Sequence, residues 1–326
     1  MIKYFKLSLA VIISVSGLYF AFSGEDFETF IYNLSVISIK DLCFASILLI
    51  FSCIPRALRW KLIIEPFESI PLNHVFSATM IGYFGNGILV FRLGEVLKAF
   101  ALSKGYKITV SQAFGTVVAE RILDLLMVLF IFIATFTSFP MNDDKIKVGV
   151  ILSNLLVVLL TTTIVITYKF NLLSKISKFE IFTKNYGQKI FSIIEKFFEG
   201  VVVIFKNRNI YFIIFLSFLI WGIYFYISVI LLQTCGISLS LSNIGVLLVI
   251  SSFILGIPSL PGAAGTLDVG VKYTLVLIFN IASSKALTYS IISHAISYFP
   301  LLLIGFVYFL TSNVSLKDVR SSKNNI

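Results

Sequence analysis

Apolar residues run through this chain in blocks of about 20, separated by short polar stretches. The blocks are Leu7–Ser23, Leu42–Ile64, Val75–Phe91, Gly94–Ser103, Ser111–Phe139, Val148–Tyr168, Ile210–Thr234, Asn243–Ile257, Thr266–Asn280 and Lys285–Leu310. About 20 apolar residues in a helix span roughly 30 Å of hydrocarbon, so six of these blocks are long enough to cross a bilayer. The other four blocks form two pairs, Val75–Phe91 with Gly94–Ser103 and Asn243–Ile257 with Thr266–Asn280, whose arms are too short to span comfortably. Each pair is broken by glycine or proline, as in a hairpin that enters the membrane and turns back. Such backbone is tolerated at membrane depth only when protein covers it or it lines a wet cavity. The pattern predicts an all-α polytopic membrane protein with about six spanning helices and two broken-helix re-entrant hairpins.

Lys and Arg placement supports that topology. If both hairpins return to their own side, 20 of the 26 Lys and Arg fall on one face, with both termini. The positive-inside rule makes that face cytoplasmic. The segment 24–41 carries Glu25, Asp26, Glu28 and Asp41 and is expected outside. Leu7–Ser23 has a rival reading as a signal peptide, since Ala21–Ser23 resembles a cleavage site. A retained first helix fits the rest of the chain better. Segment 171–209 contains an amphipathic stretch with Ile190, Ile194, Phe197 and Val201 on one face, expected on the cytoplasmic leaflet. One transmembrane domain over 1–312 and a polar tail over 313–326 follow.

Composition narrows the class. Hydrophobic residues make up 58% and charged residues 13% of the 326, and mean hydropathy is +0.99. Soluble domains carry about 25% charged residues. The net charge of +10 is accounted for by orientation and contact with anionic lipid, so nucleic acid is not an expected partner. Cys43, Cys53 and Cys235 have no metal-site spacing and read as small core residues; His74 and His294 are too few for a zinc motif. No metal and no cofactor are expected. No Gly-x-x-x-x-Gly-Lys-Ser/Thr motif occurs, so any energy comes from an ion gradient, the membrane potential or downhill flow.

Charges inside apolar blocks need a reason, because each costs about 2.5–3.5 kcal/mol at the centre of a helix. Glu120, Arg121 and Asp124 lie near the middle of one block. Glu120 and Asp124 share a face at i, i+4, and Arg121 reaches Asp124 at i, i+3. The first hairpin reads Asn86, Gly87, Arg92, Gly94, Glu95, Lys98. A helix beginning near Gly94 would aim free N–H groups inward, Arg92 offers a bidentate phosphate donor, and Glu95 tempers that field or pairs with Lys98. The second hairpin carries Pro258, Pro261, Gly262, Gly265 and Asp268. Its prolines break the helix. Asp268 has Lys272 at i, i+4 as a ready partner, and His294 in the last block is a candidate proton carrier.

The hairpins look related. Glu95 and Asp268, Ala113 and Ala286, Arg121 and His294 are each 173 residues apart. That is the pattern of an inverted-topology repeat, frequent in transporters.

The stretch Asn86, Arg92, Gly94, Glu95, Lys98, followed by Glu120, Arg121 and Asp124, resembles the first signature of the lysylphosphatidylglycerol synthase transmembrane region, also called the flippase-like domain family. Pro258, Pro261, Gly262 and Gly265, then His294 and Pro300, resemble its second. Val90-Phe91 stand where that family usually has Pro-Ala. The resemblance implies a domain that moves lipids between leaflets, in the best-known members an aminoacylated phosphatidylglycerol made by a fused transferase domain. No such domain is expected here, and lysyl transfer is not expected of this chain.

The resulting expectation is a cell-membrane lipid translocase whose headgroup site lies between the hairpins. The two arginines neutralise phosphate, and the acids receive a cationic headgroup or carry protons. Partners expected are a phospholipid, anionic or aminoacylated, with a separately encoded lipid-modifying enzyme and a second copy of the chain as further candidates. Two other readings stay open: the membrane component of a lipid aminoacyl- or glycosyl-transferase system, and a non-transporting partner of a lipid synthase.

Overall fold

A computed structural model of the protein describes residues 2–138, 144–170, 185–257 and 259–312. Pro258, residues 171–184 of the amphipathic segment and the tail 313–326 lie outside the described residues. The elements are α1 (Ile2–Phe22), α2 (Phe27–Ser35), α3 (Ile39–Ile64), α4 (Leu72–Ile88), α5 (Gly94–Ser103), α6 (Val110–Ala134), α7 (Asp144–Lys169), α8 (Asn185–Val202), α9 (Ile210–Thr234), α10 (Leu241–Leu255), α11 (Thr266–Phe279) and α12 (Ser283–Thr311). Short 3₁₀ turns at Val90–Arg92 and Pro261–Ala263 precede α5 and α11.

The fold is that of an all-α polytopic membrane protein. α3, α9 and α12 are long and apolar enough to cross a bilayer, as is the run Pro261–Phe279 counted through its break. α6 has the length but carries three charges. α11 by itself has 14 residues, about 21 Å at 1.5 Å per residue, short of a full crossing. Large apolar side chains cover the outer faces, among them Phe51, Ile133, Leu159, Phe215 and Leu303. That is the surface a lipid-embedded protein presents.

Two sets of four helices repeat. α3, α4, α5 and α6 correspond to α9, α10, α11 and α12, with starts offset by 169–173 residues. α3 and α9 lie antiparallel at the centre: the Thr234 hydroxyl donates to Asp41 at one end (3.1 Å), and the Asn209 amide to Glu65 at the other (3.5 Å). In each half the hairpin's first arm packs on the last helix of the other half. α4 runs along α12, with Phe76 against Tyr308 and the Tyr298 hydroxyl donating to the Gly87 carbonyl at 3.0 Å. α10 runs along α6, where Val246 and Val249 join Met127, Val128 and Phe132. This exchange is what an inverted repeat requires, and both predicted hairpins form.

Helix ends follow local chemistry. Thr109 and Gln112 form a capping box that starts α6, which satisfies two otherwise orphaned N–H groups. Ser38 caps α3 and Ser240 caps α9's successor α10 in the same way. α1 is held in the bundle: the Leu260 N–H donates to Ser14 Oγ at 3.0 Å.

The described part of the amphipathic segment docks on α6. The Ser111 hydroxyl donates to the Ile193 carbonyl (2.7 Å) and the Gln112 amide to Glu199 (3.0 Å). A Cβ on Gly115 would meet the Phe197 carbonyl, with Gly200 Cα at 2.9 Å. Gly115→Leu is therefore expected to undock α8 at a cost of about 1–3 kcal/mol. A lowered thermal midpoint of purified protein would register it; an unchanged midpoint would refute the close crossing.

Cys43 is exposed, Cys53 buried and Cys235 half-buried. The core assignment is thus corrected for Cys43: in a lipid-facing helix an apolar residue need not point inward.

Candidate functional site

α6 delivers Glu120, Arg121 and Asp124 to the interior, where α3, α4 and α5 meet them. Asp124 is shared by three guanidiniums: Arg59 at 2.8 Å, Arg56 at 3.3 Å and Arg121 at 3.4 Å. Glu120 takes the Lys98 ammonium from α5 and stands 3.8 Å from Arg59. Lys98 also sits 3.9 Å above the Trp60 ring, a favourable cation–π placement. Glu95 pairs with Arg121 and accepts from the Asn86 amide at 3.3 Å. Arg59 donates further to Ser217 (2.9 Å), and Arg56 to the Tyr224 hydroxyl (3.2 Å), both on α9.

These are deeply buried ions. Arg59 is fully buried, and Glu120 is 1% exposed. Burial of a charge costs several kcal/mol unless partners are aligned, and here every carboxylate has at least two cationic or hydrogen-bonding neighbours. Even so, Arg56 Nε, Arg59 Nε and Glu120 Oε1 have no hydrogen-bond partner among the described residues.

The local pairing Glu95–Lys98 does not form: Glu95 turns to Arg121, and Lys98 to Glu120. The close contact of α4 with α5 sets this geometry, because a Cβ on Gly94 would collide with the Gly82 carbonyl and the Asn86 backbone. Side chains of α5 are thereby aimed across at α6. α5 starts at Gly94 with no side-chain cap, as expected of an inward-facing N-terminus.

Arg92 stands apart, at the tip of the first hairpin. It is exposed, has φ 54° and forms no ion pair with any described residue. A non-glycine residue at positive φ costs about 1–3 kcal/mol and marks a position worth explaining.

The second hairpin builds a smaller site. Asp268 accepts the Gly265 N–H at 2.8 Å and contacts His294 Nδ1 at 2.8 Å; His294 Nε2 contacts the Gly262 carbonyl at 2.9 Å. The Asp268–Lys272 pairing does not form either. Lys272 reaches Glu25 and the Ala21 carbonyl, each at 2.6 Å, because one turn along α11 its side chain faces the end of α1. Pro261 opens the 3₁₀ turn, and Gly262 and Gly265 take φ of 71° and 81°.

Glu95 and Arg121 are 26 residues apart, as are Asp268 and His294. The acid of each hairpin binds the base of the following long helix, so the repeat extends from helices to one ion pair. The two tips touch. Tyr298 links them, its hydroxyl on Gly87 and its ring against Gly262. Asn86, Glu95, Lys98, Glu120, Arg121 and Asp124 thus form one network, with Arg92 at its edge; Gly262, Gly265, Asp268 and His294 form the other.

Arg56 and Arg59 are the members of the network that sequence reasoning passed over. Their signal was available: two arginines at i, i+3 inside an apolar block, next to Pro55. Ser217 and Tyr224 had none.

A helical protein built as an inverted pair of broken hairpins around buried ion pairs belongs structurally among polytopic membrane proteins with a polar interior. The chain belongs to the lysylphosphatidylglycerol synthase TM region family, whose model matches residues 7–305. It is 28% identical over 252 residues to UPF0104 membrane protein MJ1078 of Methanocaldococcus jannaschii, covering 74% of this chain and 99% of that one. It is 31% identical over 283 residues to UPF0104 membrane protein MJ1595 of the same organism (82% and 83% covered). A UPF0104 membrane protein of Methanothermobacter thermautotrophicus is 21% identical over 267 residues (76% and 78% covered). No solved structure matches the chain.

Proposed function

We propose that the protein is a lipid translocase that carries an anionic phospholipid headgroup past the junction of the two hairpin tips. The observation that carries this reading is an unbalanced charge. Among the described residues, Arg56, Arg59, Lys98 and Arg121 cluster with only Glu95, Glu120 and Asp124, and Arg92 adds a further cation at the edge of the network. Excess positive charge at membrane depth is costly, and a phosphate would offset it. Arg92, without an acid partner, and Arg121, with 38% of its side chain exposed, are the two cations able to reach such a ligand. A planar guanidinium suits phosphate in bidentate fashion. Exchange of exposure between two inverted halves then supplies alternating access. The reading assigns no covalent step to this chain.

The test is leaflet exchange in liposomes. Purified protein would be reconstituted with fluorescent lipids bearing anionic, zwitterionic or lysylated headgroups, and exchange followed by dithionite quenching. Arg92→Ala leaves no carboxylate orphaned, so folding should survive. Its exchange rate for the preferred anionic lipid should fall about tenfold or more, matching loss of a charge-assisted contact of roughly 1.5–3 kcal/mol. Wild-type rates in Arg92→Ala, or no headgroup selectivity in the folded wild type, would refute the site.

The family's description names a lysylphosphatidylglycerol synthase, which favours as second reading a membrane component of a lipid aminoacyl-transfer system. Absence of exchange, together with co-purification of a soluble aminoacyl-transferase, would select it.

A further inference from the structure

The hydrogen bonds around His294 define its protonation. The Gly262 carbonyl can only accept, so His294 Nε2, 2.9 Å away, must carry a proton. Asp268 Oδ1 and His294 Nδ1 are 2.8 Å apart, and one proton must lie between them. Asp268 Oδ2 is already occupied by the Gly265 N–H. The pair therefore holds two protons, either as imidazolium with carboxylate or as imidazole with carboxylic acid.

Removing one proton cannot leave both bonds intact. If the remaining proton sits on Nε2, lone pairs of Nδ1 and Asp268 Oδ1 face each other. If it moves to Nδ1, the Nε2 lone pair faces the Gly262 carbonyl. The second outcome keeps the bond to a charged acceptor, which is the stronger of the two. The bond given up is the one by which α12 holds the Gly262 carbonyl of the hairpin tip.

We infer that His294 and Asp268 form a proton-operated latch on the second hairpin, in which loss of one proton to water releases the Gly262 carbonyl and frees the 261–263 turn. The first half has the same pair in permanent form. Arg121 stands in the place of His294, and guanidinium does not deprotonate in proteins. One acid–base pair is thus fixed in charge and the other is proton-responsive.

The groups around the latch leave it free to act by itself. α11 brings Asp268 and also Lys272, which is engaged by Glu25 from the α1–α2 connection and by the Ala21 carbonyl. α12 brings Tyr298, whose hydroxyl is on Gly87 of α4, and Tyr289, which is buried. α3 and α9, which also pack on α12, carry Arg56 and Tyr224, which are bonded to each other, with Arg56 also on Asp124. The Val90–Arg92 turn brings Arg92. Among the described residues, none of these except Asp268 bonds the imidazole. His294 keeps 15% of its side chain exposed, a route for the proton.

The inference does not depend on transport, and its test needs none. In full-length protein with Cys43, Cys53 and Cys235 replaced by serine, Ala264→Cys places a thiol beside the latch. Its labelling by an impermeant maleimide in proteoliposomes is normalised to free cysteine at each pH. Between pH 6 and 9 the normalised rate should rise about tenfold as the latch opens locally. In Asp268→Asn the amide oxygen accepts from Gly265 and the amide nitrogen donates to Nδ1, so neutral imidazole keeps both bonds. Labelling there should stay low at every pH. His294→Ala should label fast throughout. The chain has two histidines, so ring-nitrogen NMR of ¹⁵N-histidine protein, with His74→Gln for assignment, reads the same step directly. A change in His294 protonation coinciding with the rise in labelling is the expected result. A flat wild-type profile, an unchanged rise in Asp268→Asn, or a His294 ring that does not titrate alongside the labelling would overturn the latch.

Discussion

Asp124→Ala is expected to destabilise the protein by about 3–5 kcal/mol, the cost of orphaning buried charge. The substitution removes one small side chain, but Arg56, Arg59 and Arg121 all lean on it. Arg56 and Arg59 are 5% and 0% exposed, so water cannot replace the carboxylate. Neither can swing outward, since α9 closes over both through Tyr224 and Ser217. The measurement is the thermal midpoint and yield of folded protein in detergent. Combining Asp124→Ala with Arg59→Leu should recover part of the loss, because fewer charges are then stranded. A single mutant whose midpoint stays within a few degrees of wild type would show that the network is hydrated and that its burial has been misjudged.

Gly265→Val should rank beside it, at about 2–5 kcal/mol from backbone strain and overpacking together. Gly265 has φ 81°, and a Cβ there would run into the Ser14 carbonyl of α1. A β-branched residue tolerates neither condition. α1 would be pushed off the second hairpin, breaking the bond between Leu260 N–H and Ser14 Oγ. Gly24 is the control: its φ is 75°, but nothing lies within 4 Å of the added carbon. Gly24→Asn should be nearly neutral, as asparagine accepts left-handed backbone. Hydrogen exchange over residues 259–266 separates the cases. Fast exchange in Gly265→Val with no change in Gly24→Asn is expected; slow exchange in both would mean that α1 does not clamp the hairpin.

Much of the architecture was legible because membrane insertion writes itself into a one-dimensional pattern. A helix that must bury its backbone polar groups in hydrocarbon needs an unbroken apolar run, and the blocks of the chain match the helices to within a few residues. The hairpins were legible for the opposite reason, since Gly87, Pro261 and Gly265 interrupt runs too short to span. The 173-residue offset carries one further implication. If Glu95 matches Asp268 and Arg121 matches His294, then finding one acid–base pair implies the other.

The pairing itself was not legible. Glu95 with Lys98 and Asp268 with Lys272 were reasonable from helical spacing, and both failed. On a solvated helix, i, i+3 and i, i+4 partners are the nearest available. In a packed bundle a neighbouring helix 8–10 Å away offers partners just as near, and desolvation rewards whichever geometry satisfies more ions at once. Arg56 and Arg59 were overlooked for the same reason: on their own block they are unexplained charges, and only α6 makes sense of them.

The sequence by itself determined that this is a many-helix membrane protein, where its chain breaks, and that its two halves repeat. Those properties depend on hydropathy, length and backbone constraint, each set residue by residue along the chain. The tertiary structure alone decided which charges meet, that the two hairpin tips touch through Tyr298, and that one half carries a titratable base where the other carries a fixed cation. These are facts of distance between segments far apart in the chain, and buried electrostatics falls off too steeply with distance for spacing to stand in for it.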